Sequence, residues 1–91
     1  MKLTDYQRAA VDSAVKAFLE YVLPERNDQL TLSSEHADDI IKQVHLANDL
    51  FVNTFSLLCN QPYGEHTIEE NLEAGVWTTP AEVADYIEET Y

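Results

Sequence analysis

No lysine or arginine follows Lys42 in this 91-residue chain. The remainder carries nine acids, while the first 42 residues hold eight acids against five bases, so most of the net charge of -12 sits in the second part. A chain so poor in cations excludes direct binding to DNA, RNA or anionic lipid, which reward Lys and Arg for neutralising phosphate. The single cysteine, Cys59, excludes an intramolecular disulfide and fits a reducing compartment. Only two glycines are present, so no glycine-rich phosphate loop can be built. No apolar run approaches the roughly 18 residues of a membrane span. Met1-Lys2-Leu3-Thr4 leads straight into an amphipathic segment rather than a signal-peptide core, and a soluble, cytoplasmic protein is expected.

What is present describes a folded domain. Apolar residues make up 45% of the chain, too many for a disordered acidic tail. The length suits one domain, residues 1–91, with a modest core. The periodicity predicts an all-α fold, a small bundle of about four helices with one long central helix.

The first helix is expected from about Asp5 to Leu23, with Thr4 and Gln7 as a capping box and Pro24 as its stop. Its polar stripe, Asp5, Arg8, Asp12, Lys16 and Glu20, alternates in sign and predicts i,i+4 pairs Arg8–Asp12, Asp12–Lys16 and Lys16–Glu20. A turn is expected at Asn27-Asp28, with Leu30 and Leu32 leaning onto the core. Ser33 or Ser34 then caps a second helix ending near Cys59 or Asn60, ahead of Pro62. Its first apolar face runs through Ile40, Ile41, Val44, Ala47, Phe51, Phe55 and Leu58; Leu46, Leu50 and Leu57 form a second stripe beside it. A helix apolar on two sides must be covered from two directions, by the rest of the chain or by a second copy. Thr67-Ile68-Glu69-Glu70 predicts a capping box opening a short helix that Gly75 closes. Thr79-Pro80-Ala81-Glu82 combines a cap, a proline at the first helical position and the reciprocal Glu, and opens the last helix.

Candidates for chemistry are few. His36 and His45 point to opposite sides of a helix and cannot share an ion, and Glu65, His66, Glu69 and Glu70 read as a solvated helix start; no metal and no cofactor are expected. Cys59 closes an apolar stripe with no base beside it and reads as a buried small hydrophobe. Adjacent carboxylates such as Asp38-Asp39 diverge on a helix. Trp77, just ahead of the last cap, reads as a lid on the core. No catalytic constellation emerges, and a non-enzymatic protein is expected.

Ala37-Asp38-Asp39-Ile40 resembles the Asp-Ser-Leu site of acyl carrier proteins, and Thr78-Thr79 leading into Ala84-Asp85-Tyr86-Ile87 resembles the start of their last helix. Asp39 stands where that family attaches its phosphopantetheine arm to serine and has no hydroxyl to offer. The two stretches also lie about a dozen residues too far apart. At most the resemblance implies a carrier-like acidic surface without carrier chemistry.

Two readings of function remain. In the leading one, Glu65, Glu69, Glu70, Glu73, Glu82, Asp85, Glu88 and Glu89 form an acidic surface for a basic partner protein, itself a nucleic-acid binder. Such a protein is a DNA-mimic inhibitor of the kind phages use against restriction or CRISPR systems, acting in the host cytoplasm. Glu88 and Glu89 support it because they stand at the negative end of a helix dipole, where stability alone would not select them. In the alternative, the chain is a helical homodimer or assembly component joined through an apolar seam of Leu46, Leu50, Phe51 and Leu57, and the acids only confer solubility.

Overall fold

Thr4 begins the first helix as its sequence requires: its Oγ1 accepts the Gln7 N–H at 3.1 Å, and Gln7 Oε1 accepts the Thr4 N–H at 2.9 Å. Two backbone donors that a bare helix start would leave free are thus satisfied. The computed structural model describes residues 1–28, 35, 37–59 and 64–91. Among them every regular element is helical: α1 (Asp5–Ala17), a π-helical turn (Phe18–Val22), α2 (Leu23–Arg26), α3 (Ala37–Leu58), α4 (Gly64–Glu73) and α5 (Pro80–Thr90). α1, the π turn and α2 follow without a break and make one rod, so the fold is a small all-α bundle of four rods with α3 as its long central member.

Pro24 does not stop the first rod. In the π turn the Leu23 N–H bonds the Phe18 carbonyl, five residues back, and this wider turn lets the proline ring enter the first turn of α2, where its missing N–H is not needed. Arg26 is thereby carried one further turn along the rod. The chain then turns at Asn27-Asp28 as expected, with Asp28 in the left-handed region at φ 54°. The expected Ser33 or Ser34 cap, the packing of Leu30 and Leu32, and His36 lie outside the described residues.

α1 and α3 run antiparallel, with Phe18 against Phe51 at 4.6 Å between ring centroids and Phe55 edge-on to Phe51 at 4.7 Å. Around these rings close Val11, Val15, Ile68, Leu72, Val83 and Ile87, all essentially without solvent contact. Each such side chain contributes roughly 1.5–3 kcal/mol of burial. Trp77 lies half-buried against this core and 4.7 Å from the Tyr86 ring, in the lid position read from the sequence.

α4 starts at Gly64, three residues ahead of the expected Thr67 cap, so Thr67 is an interior helical residue. Its carbonyl accepts from Asn71 Nδ2 at 2.8 Å. The early start depends on Gly64 itself, since a Cβ there would lie 2.5 Å from Cys59 Cβ and 3.0 Å from the Tyr91 hydroxyl. Gly75 closes the helix as expected: at φ 75° it allows the Gly75 N–H to reach the Leu72 carbonyl and the Val76 N–H to reach that of Asn71.

Candidate functional site

The acids of α4 and α5 are drawn to the arginines of the first rod. Arg26 Nη1 donates to both Glu69 and Glu73, while its guanidinium lies 5.5 Å from the centre of the Phe18 ring. Burial pushes Arg26 down, but its hydrogen bonds to Glu73 and Glu69 outweigh that and leave it above its ordinary value. Arg8 donates to Glu88 and, at 3.5 Å, to Asp85; the same two carboxylates, Glu88 first, hold Arg8 above its ordinary value. Glu88 also accepts the Leu3 N–H at 3.3 Å, so it fastens the start of the chain to α5. This gives Glu88 a structural role that its position at the end of a helix dipole conceals. Arg8 therefore makes no i,i+4 pair with Asp12; of the three expected pairs on α1, Lys16–Asp12 forms, at 2.9 Å.

The remaining acids divide further. Glu82 accepts from the Thr79 hydroxyl at 3.0 Å and from the Thr78 hydroxyl and N–H at 3.3 and 3.4 Å, and these bonds hold it below the usual carboxylate range. It supplies the Glu half of the expected box, while the Thr79 side chain accepts no helix amide. Glu65 is half-buried beside His66, 3.8 Å away. Glu70 and Glu89 are exposed and enter no ion pair among the described residues. The eight carboxylates thus fall into separate groups. The two arginines that organise four of them stand 18 residues apart on one rod, roughly 27 Å at helical rise.

The second apolar stripe of α3 has the opposite character. Leu46, Leu50 and Leu57 are 51%, 40% and 83% exposed. Phe51 does not belong with them: it is wholly buried, because one residue further along is about 100° further round the helix and faces the Phe18 ring. Across from Leu57, Tyr6 of α1 is 85% exposed. Tyr6, Gln7 and Ala10 of α1 and Leu50, Asn53, Thr54, Leu57 and Leu58 of α3 line a groove of about 440 Å³, with no charged side chain among the described residues that line it. No charge lies anywhere between Asp49 and Glu65 in the sequence, although 24% of the chain is charged. Tyr6 was not singled out from the sequence, since it falls beside the polar stripe of α1 and only the antiparallel packing brings it to Leu57.

Among the described residues, other chemistry-bearing groups form no second site. Among the described residues no three His, Cys, Asp or Glu side chains gather closely enough to hold a metal ion. Cys59 is buried, and burial pushes its thiol up, away from the reactive thiolate. No helix among the described residues is long and apolar enough to cross a membrane. No family model matches the chain, and no curated protein or solved structure matches it either.

Proposed function

We propose that the chain is a non-enzymatic interaction protein that works by packing a further helix against the uncharged face shared by α1 and α3. The exposure of Leu57 and Tyr6 on the lining of one groove carries this reading. Large apolar side chains on the rim of a groove leave water only when another surface covers them, and depletion of charge marks the centre of protein interfaces. The carboxylates around the rest of the surface keep such a chain soluble and repel anionic partners.

The second reading, an acidic surface for a basic partner such as a nucleic-acid-binding protein, is favoured by one observation. Of the five cations, Arg8, Lys16 and Arg26 are engaged within the chain, so the field offered to a partner is almost wholly negative. A pull-down from host extract, spiked with an untagged copy of the chain, separates the readings. The groove reading predicts capture that survives high salt and competing duplex DNA and is lost in Leu57→Asp. Capture that salt or DNA removes, that Leu57→Asp leaves intact, and that Glu70→Lys with Glu89→Lys abolishes would replace it with the acidic-surface reading.

A further inference from the structure

Resting on the groove reading, the geometry points to the occupant: we infer that it is α3 of a second copy of this chain, laid antiparallel along the seam. The exposed stripe reads Leu46, Leu50, Asn53 and Leu57, a spacing of four, three and four residues, which is the seam spacing of paired helices. This order is self-complementary under a two-fold axis lying between residues 51 and 52. Leu46 then meets Leu57 of the second copy, Leu50 meets Asn53, and both relations repeat in reverse, as an isologous interface requires. The two Asn53 side chains come within about 4.5 Å of each other along the axis, so each can hydrogen-bond the other. A polar residue placed in this way fixes register at some cost in stability. Tyr6, which shares the groove with Leu57, then lies toward the second copy's Leu46.

Charge and area agree with this occupant. Two chains of net charge -12 repel, and Asp49 is the one charged residue between Leu46 and Leu57. The two-fold axis sets it opposite Thr54 of the second copy, with the two Asp49 about 7.5 Å apart along the helices, while the rest of that stretch and the described lining of the groove are uncharged. Leu46, Leu50, Leu57 and Tyr6 together expose on the order of 500 Å² of side chain, and the flanking uncharged residues bring the face toward the ~800 Å² per partner of a stable interface.

Sedimentation equilibrium combined with cysteine cross-linking tests the inference. Leu46→Cys and Leu57→Cys are made separately in a Cys59→Ala background, whose fold is confirmed by circular dichroism. In the antiparallel pair, residues 46 and 57 face each other, while two copies of residue 46 lie roughly 16 Å apart, beyond the ~7 Å that a disulfide spans. The expected result is a dimer mass by about 100 µM, with disulfides forming at least about tenfold faster in the mixture than in either variant alone. Faster cross-linking in the separate variants would overturn the antiparallel arrangement. A monomer throughout that range would overturn the pairing, while the groove reading would still be judged by the effect of Leu57→Asp on capture. A dimer indifferent to both Leu50→Asp and Leu57→Asp would overturn both. These two substitutions leave folding intact because neither side chain belongs to the core.

Discussion

Phe51 and Leu57 are both apolar residues of α3, and their truncation to alanine separates the core of this protein from its seam. Phe51 is fully buried with Phe18 at 4.6 Å and Phe55 at 4.7 Å, so Phe51→Ala removes a whole ring from a closed aromatic cluster. A change of this kind costs about 3–5 kcal/mol, from lost burial together with the cavity left behind. A domain of this length has roughly 5–14 kcal/mol in total, so about a fifth or more of its stability depends on that side chain. Leu57 is 83% exposed in the single chain, and Leu57→Ala shifts intrachain stability by no more than about 0.5 kcal/mol. Urea unfolding followed by circular dichroism at low micromolar concentration measures both. With a slope of about 1–3 kcal/mol per molar urea, Phe51→Ala moves the midpoint down by on the order of 2 M and Leu57→Ala barely moves it. At high concentration the Leu57→Ala penalty grows, because association then contributes to the stability of the folded form. A Phe51→Ala cost below about 1 kcal/mol, or equal costs for both substitutions at low concentration, would refute the assignment of the two faces.

Gly64→Ala places a methyl group 2.5 Å from Cys59 Cβ and is expected to cost about 1–3 kcal/mol. Cys59→Ala does not relieve it, since the clashing atom is the Cβ itself; thermal unfolding of the single and double variants checks this. Arg26→Ala releases Glu69 and Glu73 and uncovers Phe18, lowering stability by about 1 kcal/mol at low salt and by less at high salt, read from denaturant midpoints. Glu82 is held below the usual carboxylate range, so its contribution is present above its unfolded value and is lost as pH falls through the lower folded value. Stability measured from about pH 5 downward should therefore fall less steeply in Glu82→Gln than in the parent chain.

Local chemistry was legible in the sequence where it decided the structure. Thr4 with Gln7, Gly75 beyond α4 and Pro80 at the start of α5 act through neighbours a few residues away, and all three stand where the spacing put them. Pro24 misled because its clash is removed by the π turn before it, and no local rule announces such a turn. The start of α4 depends on the approach of Cys59 to Gly64, a tertiary contact, while Thr67 carried the stronger local signal. The acidic site suffered most from distance. Arg8 meets Glu88 across 80 residues and Arg26 meets Glu69 across 43, so acids that looked uncompensated along the chain are paired in space. The two stripes of α3 were visible, but their apolar composition alone could not say which one faces Phe18; Phe51 was read both on the first face, where it lies, and in the seam, where it does not.

Association measured by sedimentation equilibrium between about 0.05 and 1 M salt tests the proposed role of the uncharged seam most directly. Contact through Leu46, Leu50 and Leu57 predicts self-association that holds or tightens as salt screens the repulsion between acidic chains, and that disappears in Leu57→Asp. Association that weakens steeply with salt and persists in Leu57→Asp would contradict it.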